Sequence, residues 1–244
     1  MKQLWYALLC CLPLFAHAAD DISKVNSSVR IQAGQTTGDV GTVNGSITIE
    51  PNASAEDVHT VNGSISIDEQ AKVRSVKSVN GSVRIGESAR AEAVETVNGT
   101  VRIGAGAEIA ADVSAVNGSI SLAKNATVKG RLKNVNGKMS VEAAQVGGGI
   151  ETTNGNIDIG AGSRVEGGIR VNKPKSSGWQ IGKRRPPVVT IGPDAIVEGE
   201  LKFEQPVKLH VSDRARIGKV IGATANKFSG DRPNADGTDL QPER

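Results

Sequence analysis

Cysteine occurs only as Cys10-Cys11, and everything after residue 18 lacks it. If residues 1–18 are removed, no disulfide, thiol nucleophile or cysteine metal site remains. Aromatics are nearly as scarce: beyond residue 18 they are Trp179, Phe203 and Phe228. An ordinary globular core draws much of its buried area from aromatics, so this core must be assembled from Val, Ile, Leu and Ala. Neither sign of charge dominates. The 29 Lys and Arg against 26 Asp and Glu give a net +3, which loss of Lys2 lowers to +2. That balance is too mild to imply a nucleic-acid partner. A long hydrophobic run is also missing. The apolar stretch Leu4–Phe15 is too short to span a bilayer.

That stretch has a different use. Lys2 precedes it and Ala16-His17-Ala18 follows it. A basic start, a short apolar run and small residues at the end make residues 1–18 a secretory signal peptide. Cys10 follows Leu9 rather than a small residue, which disfavours lipid attachment there. The chain is therefore expected to be exported, to the periplasm, the outer membrane or the medium, with no transmembrane segment.

What the sequence has in abundance is one phrase. "TVNGSITI" begins at Thr42 and returns as "TVNGSISI" at Thr60, "SVNGSVRI" at Ser78 and "TVNGTVRI" at Thr96. "AVNGSISL", "NVNGKMSV" and "TTNGNIDI" follow at Ala115, Asn134 and Thr152. A single Asn-Gly between alternating apolar residues would signal a hairpin. Here the Asn falls at 26, 44, 62, 80, 98, 117, 136 and 154, a step of 18 or 19, with Asn172 next in the series. A fixed short period is the mark of a solenoid.

Counting from the Val of the phrase, apolar residues recur at places 1, 5, 7, 11, 13 and 16, as in Val43, Ile47, Ile49, Ala53, Ala55 and Val58. Pairs two apart share a strand face. Between them sit Gly, Asn, Asp, Glu and Pro, which suit corners. Three short strands and three corners in about 18 residues trace a loop of roughly 60 Å, a triangular coil with one layer of side chains inside. Coils would stack about 4.8 Å apart through parallel pairing. The expected fold is all-β: a single-stranded β-helix of about ten triangular coils of 18–20 residues. Because the beat is not a clean six, we read it as right-handed. Propeller blades need about 40 residues and do not fit.

Residues 19–223 form the expected β-helix. The first coil carries Gln35 and Thr37 where later coils are apolar, as a capping coil would. Extra residues before Asn117 and Asn136 read as corner bulges. The rhythm stops for an inserted basic loop at 172–188 and resumes after it, and residues 224–244 read as a disordered C-terminal tail.

The candidate chemistry is sparse. Lys173, Lys175, Lys183, Arg184 and Arg185 sit in the inserted loop with no acid, beside Trp179. They form the candidate ligand-binding site, for an anionic envelope polymer or a surface protein. The bland alternative is a solvated loop whose Trp covers the coil wall. His59 and His210 are expected outward and solvated, without a second metal ligand beside them. Outward residues read as columns: Thr48, Ser66, Arg84, Arg102, Ser121, Ser140, Asp158, and His59, Lys77, Glu95, Ser114, Lys133, Glu151. Neither column concentrates carboxylates, so no catalytic residues, metal or cofactor are assigned and the chain is read as non-enzymatic. Asn-x-Ser/Thr triplets at Asn44, Asn62, Asn80, Asn98 and Asn117 follow from the corner chemistry and carry no glycosylation argument.

The structural Asn-Gly corner comprises Asn44-Gly45, Asn62-Gly63, Asn80-Gly81, Asn98-Gly99, Asn117-Gly118, Asn136-Gly137 and Asn154-Gly155. The Gly is expected at positive φ, and the stacked Asn amides are expected to hydrogen-bond along the column.

The "VNGSIxI" and "IGPDAIVEG" phrases over about Val25–Ala223 resemble those of bacterial adhesin-type β-solenoid domains, and the latter is similar to the coil repeats of bactofilins, polymer-forming cytoskeletal β-helices. The first resemblance implies a structural or adhesive protein of the cell envelope. The second implies a self-assembling filament that grows through the coil ends. Neither implies catalytic residues.

Overall fold

Three inward-facing pairs build each coil. In the coil of Ile47, the strand Ile47–Ile49 turns both isoleucines inward with no exposed surface. A turn at Pro51-Asn52 follows, closed by Ala53 N–H donating to the Glu50 carbonyl at 3.1 Å. The long strand Ser54–Asn62 then buries Ala55, Val58 and Thr60. Glu56 and Asp57 both stay outside, so the chain bends between Ala55 and Val58, and one continuous strand covers two sides of a triangle. Each fully buried Val or Ile contributes roughly 1.5–3 kcal/mol, and the pattern repeats coil after coil.

The computed structural model describes residues 20–174 and 185–233. Over these residues the chain is a parallel β-solenoid of about eleven turns. The first wall is an 11-stranded sheet running from Val29–Ile31 to Ala225–Phe228. The second and third walls join in a 17-stranded sheet, because the nine-residue strands Ser54–Asn62, Lys72–Asn80 and Arg90–Asn98 run through both. Beyond them the strand divides. Ile109 and Val113 are one residue farther apart than Ala91 and Val94, and Glu108–Ile109 and Val113–Asn117 are separate strands. This is the corner where the extra residue before Asn117 is absorbed. Among the described residues no helix is long and apolar enough to cross a membrane.

Four expectations need correction. The Val of the repeated phrase is not inside. Val43, Val61, Val79 and Val97 are 39–40% exposed, and the residue before each (Thr42, Thr60, Ser78, Thr96) is buried instead. Strand parity decides this: Val58 faces in, so Thr60 does and Val61 does not. The inward places are therefore 5, 7, 11, 13, 16 and 18.

The corner glycines are not at positive φ either. Of that column only Gly137 is, at 130°. Glycine is required by close approach: a Cβ on Gly63 would lie 1.9 Å from the Gly45 carbonyl oxygen, and one on Gly81 1.9 Å from that of Gly63. Positive φ belongs to a different corner, the turn between the first and second walls. There Asn52, Gln70, Ser88, Gly106, Asn125, Ala143, Gly162 and Asp194 all adopt it.

Third, the stretch read as tail is not all tail. Ala225–Phe228 pairs with Lys208–Ser212 as a final strand of the first wall and buries Phe228, so the first wall has eleven strands rather than about ten. Fourth, Asn172 does not continue the Asn series: its amide donates to Glu151 Oε1 at 2.6 Å. The coils do resume after the insertion. Ile157 pairs with Val189 and Ile169 with Leu201, and the returning strand already begins at Val188. The expected signal peptide and residues 234–244 lie outside the described residues.

The capping coil ends the apolar column with polar contacts. Thr37 is buried and its hydroxyl donates to the Asp20 carbonyl at 2.6 Å, while Gln35 is exposed and its side chain accepts from the Gln32 N–H at 3.1 Å.

Two glycine positions separate the two reasons for glycine. Gly81→Ala should cost about 3 kcal/mol, because overpacking meets immovable backbone. Gly162→Ala should cost about 1 kcal/mol, since φ is positive there but space is open. Denaturant melts of the two variants check this. Equal losses would mean that conformation rather than close approach governs the Asn-Gly corner.

Candidate functional site

The four residues Thr-Val-Asn-Gly act as a unit at the corner between the third and first walls. Thr60 is inside, and its hydroxyl donates to the Gly45 carbonyl of the preceding coil at 3.0 Å. Thr42 donates to Ser27 O at 2.9 Å, and Ser78 and Thr96 donate to Gly63 O and Gly81 O at 3.2 Å. These bonds satisfy hydroxyls that burial would otherwise penalise. The acceptor is the same carbonyl that leaves no room for a Cβ on the next glycine. Inner threonine and corner glycine are thus two sides of one contact. Asn134 substitutes an amide for the hydroxyl, donating to Gly118 O at 2.6 Å.

Outside, the asparagines form a ladder. The Nδ2 of Asn44 donates to Asn26 Oδ1 at 2.8 Å, and the series continues through Asn62, Asn80, Asn98, Asn117, Asn136 and Asn154 at 2.8–3.0 Å. Backbone bonds run alongside: Gly45 N–H donates to Asn62 O at 3.0 Å, and Gly63 N–H to Asn80 O at 3.1 Å.

The two outward columns stand in register. Thr48, Ser66, Arg84, Arg102, Ser121, Ser140 and Asp158 are successive partners on the first wall. His59, Lys77, Glu95, Ser114, Lys133 and Glu151 are successive partners on the third. Lys77 and Glu95 meet at 3.6 Å. The His59 imidazole lies across Gly41, where a Cβ would meet it at 2.5 Å. His210 occupies an outward register position beside Thr190. Among the described residues no cluster of three or more His, Cys, Asp or Glu could hold a metal.

On the first wall, an open groove of about 840 Å³ runs along the axis from Pro51 to Glu142. Arg84 and Arg102 stand in it, stacked one coil apart, with Ser66 and Ser121 on either side, Gly86 and Gly104 beside them, and Asp68, Glu69, Glu87 and Glu142 also in the lining. Neither arginine has an ion-pair partner among the described residues, whereas Arg74 binds Asp39, Glu56 and Asp57, and Arg90 binds Glu108.

The inserted loop leaves the solenoid where the Asn ladder stops. Lys173 and Arg185, at its two ends, are exposed, while Lys175, Trp179, Lys183 and Arg184 lie outside the described residues. Gln205 ties the base of the loop, donating to the Thr153 and Asn172 carbonyls. A recess of about 510 Å³ there is lined by Asn154, Arg185, Pro187 and Gln205.

A further surface escaped the sequence reading. Val25, Val43, Val61, Val79, Val97, Val116 and Val135 are the exposed large hydrophobics among the described residues, and all stand in one column on the third wall, between the charged column and the Asn ladder. Its signal in the sequence is the Val before each Asn from Asn26 to Asn136, which hydrophobicity alone assigns to the core.

The corner between the second and third walls carries bonded carboxylates. Two Arg74 nitrogens donate to the Asp57 carboxylate at 2.9 and 2.8 Å, and Ser75 donates at 2.9 Å. Chiefly through the Arg74 bond, Asp57 is held down to about 2. Asp112 is lowered by the Arg131 N–H and by Lys133. A carboxyl depressed in the folded state contributes stability above its unfolded pKa, near 3.9, and loses it as pH falls toward the folded value.

Removing Asn80, which both donates and accepts, should cost more than removing Asn26, which only accepts. We expect roughly 1–2 kcal/mol for Asn80→Ala and about half that for Asn26→Ala, and equal costs in denaturant melts would contradict a ladder. Asp57→Asn should flatten the loss of stability between about pH 4 and pH 2 while lowering stability at neutral pH. A pH-stability curve that keeps the wild-type slope would show that this carboxylate is not a source of it. The chain matches no protein-family model, no curated protein and no solved structure.

Proposed function

We propose that the chain is an exported, non-enzymatic structural or adhesive rod of the bacterial envelope, which presents its walls to an extended partner. The observation that carries this reading is the axial groove on the first wall. It runs past several coils instead of closing around one small molecule. It sets Arg84 and Arg102, neither of them ion-paired among the described residues, among hydroxyls and the carboxylates of Asp68, Glu69, Glu87 and Glu142, a mixed lining that suits a hydroxyl-rich polymer. A rigid ladder that repeats its side chains about every 4.8 Å suits a long polymer or a flat surface better than a single turnover site. The leader-like first 18 residues support export.

A second reading uses the inserted loop. Arg185 lines the recess at its base, and the loop's further cations would favour an anionic envelope polysaccharide. Filament growth through the ends is the weakest alternative. Lys24 takes the register position of buried Thr42 on the first described strand, and Lys227 that of buried Val211 on the last. Inward-position charges at both edges oppose strand addition.

Fractionation of cells followed by binding to purified envelope glycan tests the proposal. We expect the chain in an envelope or extracellular fraction, and Arg84→Ala/Arg102→Ala to weaken glycan binding about tenfold or more. Retention of that variant with loss of binding by Lys183→Ala/Arg184→Ala/Arg185→Ala would favour the loop. A cytosolic chain, or binding that neither variant changes, would overturn the proposal.

A further inference from the structure

Seven valines in single file call for an occupant. A column of exposed Val from Val25 to Val135 covers six inter-coil steps, about 29 Å at the strand spacing. Val43 to Val135 each hold close to 40% exposure. A continuous apolar stripe with a polar rim is the anatomy of an interface. Its rim is the Asn ladder on one side and the charged column on the other.

We infer that this stripe joins two copies of the chain side by side and antiparallel, wall against wall. Two properties of the surface select this occupant. The first is spacing. Valines repeated about every 4.8 Å stay matched along their whole length only with a surface of the same repeat, and a second solenoid has it. The second is charge. A two-fold axis lying in the interface along the strand direction brings each column onto its own copy, reversed in order. With the axis midway between the coils of Lys77 and Glu95, Lys77 of one copy meets Glu95 of its partner, twice over. Val79 then meets Val97 and Val43 meets Val135. A shift of the axis by half a coil one way sets Lys77 against Lys77. The same shift the other way sets Glu95 against Glu95. A parallel dimer would put the charged column against the Asn ladder and pair nothing. The face is about 29 Å long and three columns wide, which gives on the order of 600 Å² per copy. That lies somewhat below the roughly 800 Å² of a standard stable complex, so a dimer of micromolar strength is expected.

Sedimentation equilibrium of the purified chain, between about 1 and 100 µM, should show a monomer–dimer transition. Val79→Asp should leave circular dichroism and the melting curve near wild type, because the side chain is exposed, and should leave only monomer. Mixing tests the orientation. Lys77→Glu sets two acids on adjacent coils at the axis and Glu95→Lys sets two lysines there, so each variant is repulsive within itself and in its own dimer. An equimolar mixture brings opposite charges together only across the interface. Native mass spectrometry should then find the mixed dimer favoured about tenfold over either homodimer. A monomer at 100 µM, a dimer that survives Val79→Asp, or a mixture without preference for the mixed dimer would each overturn the inference.

Discussion

The rest of this structure depends on the backbone hydrogen bond between one coil and the next. Parallel pairing sets each residue directly over its counterpart, about 4.8 Å away. Whatever one coil places at a position, the next must tolerate at contact distance. Isoleucine over isoleucine fills the interior of the first wall. Asparagine over asparagine bonds side by side. A like charge over a like charge costs energy, and Lys77 over Glu95, Arg90 over Glu108 and Arg214 over Asp194 avoid that cost. Surface pairs of this kind contribute little individually. Where they occur they relieve the stack, whereas Arg84 over Arg102 is a like-charge step that the open groove leaves to solvent.

Much of this was legible because a repeat multiplies weak signals. One Asn-Gly says hairpin; a series at a constant step says corner of a coil. The apolar pairs at places 5 and 7 and at 11 and 13 located two walls, the lone Val at 16 marked the third, and the column registers followed from counting. The errors have physical causes. Hydrophobicity alone could not say that Val61 points outward and Thr60 inward, because two consecutive outward residues at Glu56-Asp57 reset the parity. A threonine inside looks wrong until its acceptor, a carbonyl of the coil below, is known. Glycine has two uses, positive φ and close approach, and a sequence does not say which one a corner needs. The final strand, "ANKF", carries Lys227 and Asn226 on a terminal coil with one neighbour instead of two, so its apolar pattern is thin.

The same stacking organises the surfaces where function is proposed. The first wall sets two arginines in a groove along the axis, and the third sets a valine stripe between a charged column and an amide ladder. Both features are columns, so their natural partners are extended or repeated. The inserted loop breaks the pattern where the ladder stops, with Gln205 tying the base back to the coils. The ends carry lysine at inward register positions. Charge at an inward position disfavours strand addition, which is consistent with the lateral association proposed above.

The central claim is that side chains stand in bonded columns as strictly as the backbone does. Nuclear magnetic resonance measurement of hydrogen exchange at the Asn side-chain amides tests it most directly. Asn44, Asn62, Asn80, Asn98, Asn117, Asn136 and Asn154 each donate to the coil before, whereas Asn26 only accepts. The account predicts one slowed Nδ2 proton in each of the seven donors, and free exchange at Asn26. Exchange at the same free rate in all eight would contradict it.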